Sequence, residues 1–136
     1  MILADTSAWV EFDRATGSPV DLRLTELISS SDDVVVTEPV IAEVTAGARS
    51  DDREAELRRL LARFPLLTFD SVADFDGAVR VYRRCRQAGI TPRGLLDCMI
   101  AAVALRHDAA VLAHDADMAR IADVMPLRLD KASFRP

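Results

Sequence analysis

The apolar positions of this chain alternate between two kinds of run. Met1-Ile2-Leu3-Ala4, Val34-Val35-Val36 and Ala109 to Ala113 are unbroken and too short for helices. They read as strands buried on both faces, as inside a parallel sheet. Between them, apolar residues recur at helical spacing. Thr6 to Asp13 suits a short helix. Pro19 to Ser30 carries Val20, Leu24, Leu27 and Ile28 on one face, and Ser29 to Asp33 closes it as a loop. A third helix is predicted from Glu38 or Pro39 to Ala46, with Thr37 or Glu38 able to cap it and Gly47 as its stop. Asp51 to Phe64 follows, striped by Leu57, Leu60, Leu61 and Phe64 and ended by Pro65. A long helix runs from Ser71 or Asp74 to about Ala88, an Ala-rich one from Leu95 to His107, and a short one follows Asp115. Leu66 to Phe69 and Leu127 to Leu129 add weaker strand signals. Strands alternating with helices predict an α/β fold with a mostly parallel central sheet.

At 136 residues the chain is expected to be a single domain, 1–136, large enough for a core without disulfide staples. Half of it is apolar and 5% aromatic, so that core is aliphatic. Two cysteines, Cys85 and Cys98, make neither a disulfide framework nor a zinc motif. Asp5 and Glu11 interrupt the apolar start, which therefore suits neither a signal peptide nor a membrane span; a cytoplasmic protein is expected. The net charge of −5 argues against simple electrostatic binding of nucleic acid. Of the 17 basic residues 16 are Arg, a bias that a GC-rich genome also produces.

Four acids change this picture. Asp5 ends the first strand, where ligands gather in parallel sheets. Asp115 follows the Ala109–Ala113 strand, with Asp117 two residues on. Asp97 lies in the first turn of an apolar helix, and Glu43 sits inside another with apolar neighbours. Each has an ordinary explanation: Asp5 and Asp115 as helix caps, Asp97 as a dipole partner, Glu43 as a solvated acid. Together they are harder to dismiss. Two carboxylates ~4 Å apart repel by roughly 1 kcal/mol in water and ~4 kcal/mol at an effective dielectric near 20. Four in one pocket would carry repulsion on the order of 10 kcal/mol, so they must take up protons or a cation. Oxygen donors without a His or Cys cluster favour Mg²⁺ or Mn²⁺ over zinc.

The same residues resemble the PIN-domain ribonucleases, and among them the VapC-type toxins of type II toxin–antitoxin modules. Ile2-Leu3-Ala4-Asp5-Thr6-Ser7-Ala8-Trp9 is similar to the first motif of that family and Glu43-Val44-Thr45-Ala46-Gly47 to the second. Thr91-Pro92-Arg93-Gly94-Leu95-Leu96-Asp97-Cys98 resembles the third and Ala113-His114-Asp115-Ala116-Asp117 the fourth. Their order and spacing agree over nearly the whole chain. The resemblance implies a three-layer α/β/α sandwich, Mg²⁺-dependent cleavage of RNA, a homodimer and a VapB-type antitoxin. It further implies that Asp5, Glu43, Asp97 and Asp115 form the catalytic and metal-binding set, with Asp117 an accessory metal acid. Thr6 would position a water at the metal, or else cap the first helix. The fourth motif departs from the family's pattern, with Ala113 or His114 before the acids and Met118 after them.

Other candidates are weighed on the same footing. Arg80, Arg83 and Arg84 share a helical face and, with Arg93, could grip RNA phosphates; a solvated face is the plainer explanation. Arg93 stands out because its loop leads into Asp97. His114 could transfer protons or simply be an exposed loop residue. Cys98 reads as a small buried side chain, Trp9 and Phe12 as core or dimer contacts. The Leu57–Phe64 stripe suits the core, or a groove for an antitoxin or second subunit. A PIN-like nuclease with no toxin role is an alternative. An aspartyl-phosphatase or phosphoacceptor receiver domain would also place Asp after a first strand. Those folds need a well-placed Lys, and Lys131 is poorly placed.

Overall fold

The computed structural model describes residues 1–30 and 33–136. Among them, β1 (Ile2–Ala4), β2 (Val34–Val35) and β3 (Ala110–Leu112) form a parallel sheet of order β2-β1-β3. Ile2 and Leu3 pair with Val34 and Val35 on one side; Ile2, Leu3 and Ala4 pair with Ala110, Val111 and Leu112 on the other. Every β1 residue is buried, which is why its sequence is continuously apolar rather than alternating. Single parallel bridges, Val36 to Leu66 and Val111 to Leu129, extend the sheet at both edges.

Among the described residues seven helices surround it: α1 (Thr6–Asp13), α2 (Pro19–Ser30), α3 (Glu38–Ala46), α4 (Asp51–Leu61), α5 (Ala73–Gln87), α6 (Leu95–His107) and α7 (Ala116–Val124). Their ends follow local chemistry. Ser50 Oγ accepts from the Arg53 amide to cap α4, whose first turn carries Asp51, Asp52 and Glu54 and whose last carries Arg58 and Arg59. Helix α6 is small-residue-rich because it is covered on most sides, with Cys98 and every residue from 100 to 104 buried. Helix α5 approaches it closely at Gly77, where an added Cβ would stand 3.1 Å from that of Ala102.

Several sequence expectations shift at the edges. Helix α4 stops at Leu61 rather than Phe64; Phe64 still packs its ring 5.3 Å from that of Trp9. Ser29 and Ser30 belong to α2, their hydroxyls bonded back to Thr25 and Glu26 carbonyls. Ser31 and Asp32 of the expected loop lie outside the described residues. The Leu66–Phe69 strand shrinks to one bridge because the Phe69 amide donates to Glu38 Oε1 at 2.8 Å, leaving the ladder. Leu127–Leu129 shrinks likewise, ended by the turn in which the Ala132 amide donates to Asp130 Oδ1. Thr37 occupies the N-cap of α3 without a side-chain capping bond, and Gly47 ends that helix at an ordinary φ of −80°.

Leu61 and Trp9 join the core, with Leu60, Phe64 and Phe12 packed against it. Leu57 is buried and lines, with Trp9, Val44 and Glu43, a groove of about 540 Å³. Among the described residues no helix is long and apolar enough to cross a membrane.

Candidate metal centre

The sheet order places the centre. The chain crosses from β1 to β2 on one side and later returns to β3 on the other, so connections diverge at β1. In parallel sheets such a reversal opens a crevice beyond the strands' carboxyl ends. Asp5 directly follows β1 and Asp115 is the third residue after β3, so both stand at that crevice. Asp97, third residue of α6, and Glu43, in α3, complete its wall. One carboxylate oxygen each from Asp5, Asp97 and Asp115 lies within 4.8 Å of the others. The cleft, about 390 Å³, is lined by these three with Thr6, Ser7, Glu43, Arg93, Gly94 and Leu96.

Local bonds hold the carboxylates in place. Asp5, not Thr6, is the N-cap of α1, and its Oδ2 accepts from Ser7 Oγ at 2.6 Å and the Ser7 amide at 3.3 Å. Ser7 Oγ in turn accepts from the His114 amide at 2.8 Å, tying the end of β1 to the end of β3. The Thr6 hydroxyl donates to Glu43 Oε1 at 2.6 Å, joining α1 to α3. Asp115 caps α7 by accepting from the Asp117 amide. Cap and cleft residue therefore coincide at both Asp5 and Asp115: the two explanations were never exclusive.

Burial dominates the electrostatics. It raises the Asp5 carboxyl from an ordinary 3.8 to about 6, against the Ser7 hydrogen bonds and with help from the Asp115 and Glu43 charges. Asp97 is raised to about 8, by burial first and then by the Asp5, Asp115 and Glu43 charges. Asp5 Oδ1 is buried without a hydrogen-bond partner among the described residues. An all-oxygen donor set, an orphaned buried oxygen and carboxyls pushed towards neutrality fit a hard divalent cation. Cys98 is no rival ligand, since burial pushes its thiol up to about 12.

The remaining candidates fall elsewhere. Asp117 is outside the three-carboxylate cluster and is gripped by Arg93 Nε at 2.8 Å and Arg120 Nη1 at 2.9 Å. Burial would raise its carboxyl, but these hydrogen bonds and the Arg93 charge outweigh it and hold it low. Arg93 also reaches Asp115 Oδ1 at 3.3 Å. Arg83 and Arg84 are exposed on α5 and do not line the cleft. The His114 ring faces Glu11, 3.7 Å away, and the Phe134 ring. Lys131 is exposed and absent from the lining, which removes the basis for the phosphatase and receiver alternatives. Sequence reasoning missed the Ser7 bridge and Arg120. The position of Arg120 three residues after Asp117, on the same helix face, was the available signal for the second.

Comparison with known proteins agrees with this geometry. The PIN domain model matches residues 2–124. Ribonuclease VapC11 of Mycobacterium tuberculosis is 43% identical over 136 residues, covering 99% of this chain and 100% of its own. The structure of VapBC2 from Rickettsia felis bound to a DNA fragment superposes with a TM-score of 0.74 at 17% identity, covering 96% of this chain and 98% of that one. M. tuberculosis VapC20, described as a sarcin–ricin-loop-cleaving toxin, gives 0.66 at 17% identity, with 94% and 99% covered. The chain belongs to the PIN-domain family, in its VapC group.

Proposed function

We propose that this protein is an endoribonuclease dependent on a divalent cation, Mg²⁺ or Mn²⁺, and the toxin of a VapBC-type toxin–antitoxin module. The observation that carries the chemistry is the convergence of Asp5, Asp97 and Asp115 within 4.8 Å, with no direct ion pair to Asp5 or Asp97 among the described residues. These three would hold the cation, and Glu43, tied to Thr6, would add negative charge beside it. A cation bound there would lower the pKa of a water and offset charge on a scissile phosphodiester. The chain's own groups do the rest. Ser7 fixes the Asp5 carboxylate, and Thr6 orients Glu43 at the cleft wall. Arg93 contacts RNA phosphate; Arg83 and Arg84 extend that contact along the surface. The ribonuclease and toxin roles are supported by full-length similarity to VapC11 and by the fold shared with VapC20 and VapBC2. The protein acts in the cytoplasm as a single-domain homodimer, blocked by a VapB-type antitoxin.

The test uses purified protein and structured RNA. Cutting is expected with Mg²⁺ or Mn²⁺, none with a chelator, and none in Asp5→Asn. Undiminished cutting by Asp5→Asn overturns the assignment. Expression without the antitoxin arrests growth; harmless expression of active enzyme overturns the toxin role and leaves a nuclease of another purpose.

A further inference from the structure

Asp117 shares a motif with Asp115 but is built differently. Its side chain is 6% exposed and both oxygens are engaged: Oδ1 by Arg120 Nη1, Oδ2 by Arg93 Nε and, at 3.5 Å, by the Arg93 amide. One guanidinium would compensate one buried carboxylate, and Arg120 does so from within α7 at i+3. Adding Arg93 leaves the group net positive at the rim of an acidic cleft.

The Arg93 side chain is itself 80% exposed. A long exposed side chain ordinarily samples many rotamers. Here a buried acid fixes it through Nε, and buried Pro92 restrains the loop that carries it. The opposite end of the guanidinium is what remains for a ligand. Nη2 lies 3.3 Å from Asp115 Oδ1, and Nη1 has no partner among the described residues. A planar Nη1–Nη2 fork matches two oxygens of a phosphate.

We infer that Asp117 is a positioning residue rather than a cation ligand: with Arg120 it holds Arg93 so that the Nη1–Nη2 fork meets an RNA phosphate beside Asp115. This rests on the nuclease function proposed above. It assigns the second acid of the fourth motif to substrate binding, leaving the cation to the three clustered carboxylates.

A double-mutant cycle tests it, using a structured RNA that the wild type cuts and a separate Mn²⁺ titration without RNA. Arg93→Ala is expected to raise KM about tenfold with a smaller change in kcat, as loss of a forked phosphate contact should. Asp117→Asn should raise KM by a similar factor, and the double variant no further, since both remove one contact. Mn²⁺ affinity of Asp117→Asn should stay within about twofold of wild type, because a ligand's loss would cost about tenfold or more. Arg93→Lys, which can pair with Asp117 but lacks the fork, should lose binding without loss of thermal stability. That variant keeps the test open if Asp117→Asn folds poorly. Multiplicative KM effects, wild-type KM in Arg93→Lys, or a tenfold loss of Mn²⁺ affinity in Asp117→Asn would each overturn the inference. If the wild type cuts no RNA, the nuclease function fails, and the Mn²⁺ titration alone still decides whether Asp117 is a ligand.

Discussion

Asp5 and Asp74 are equally buried carboxylates, 2% and 1% exposed, treated in opposite ways. Asp74 accepts a two-pronged grip from Arg106, Nε to Oδ1 at 2.9 Å and Nη2 to Oδ2 at 2.7 Å, and a further bond from the Asp70 amide. Burial would raise its carboxyl; these bonds more than offset that and hold it below the ordinary range. Asp5 has only neutral donors from Ser7, one orphaned oxygen and acids for neighbours, and it is raised to about 6. A buried acid with an arginine serves the fold, here fastening α5 and α6 to the carbonyl of Thr68 through Arg106. A buried acid among acids opposes the fold until a cation arrives.

Substitutions at the two places should therefore have opposite signs. Asp97→Asn is expected to abolish Mn²⁺ binding and lower cleavage on the order of a thousandfold or more, while raising the melting temperature of the metal-free protein. An unchanged or lower melting temperature would show that the repulsion is not there. Asp74→Asn should do the reverse, costing about 2–3 kcal/mol in urea denaturation by stranding Arg106 while leaving Mn²⁺ affinity intact.

A pH series sharpens the contrast. The folded Asp5 and Asp97 bind protons more tightly than when unfolded, so their contribution is fully favourable below about pH 3.8 and is lost as pH rises through about 6 and about 8. Asp5 alone should cost the metal-free protein about 3 kcal/mol as pH rises through that window, with Asp97 adding to it, and saturating Mn²⁺ should flatten the slope. Asp74 works in the other direction: its contribution holds above the ordinary carboxylate range and disappears as acid titrates it. A metal-free stability profile that is flat between pH 4 and 8 contradicts the electrostatic account of the cleft.

The smallest expected effect is at Ser7→Ala. Loss of its bonds to Asp5 and to the His114 amide should cost about 1 kcal/mol and shift the pH midpoint of Mn²⁺ binding upward. A downward shift would mean that Ser7 does not favour the charged form of Asp5.

Much of this was legible along the chain because it depended on local pattern. Runs such as Ile2-Leu3-Ala4 have one way to be buried, and helices from Thr6 to Asp13 and Leu95 to His107 begin and end where spacing and turn residues put them. The edge strands were not legible, because their length was decided by Glu38 and Asp130, side chains distant in sequence or beyond the strand that captured backbone amides. Arg106 with Asp74, and Arg23 with Asp130, escaped notice for the same reason: nothing in an isolated Arg or Asp announces a partner 32 or 107 residues away.

The alternation of strands and helices, and the acids that end them, are local matters, since hydrophobic periodicity and strand-end position are properties of neighbouring residues. Which acids share a cleft is set by the packing of distant elements. The reversal of crossover direction at β1 brings Asp5 to Asp115 and swings α6 so that Asp97 joins them. It also hands Asp117 to Arg93 and Arg120 instead. Charge is written residue by residue, but whether a carboxylate is compensated or left wanting a cation depends on what the fold sets within hydrogen-bonding distance of it.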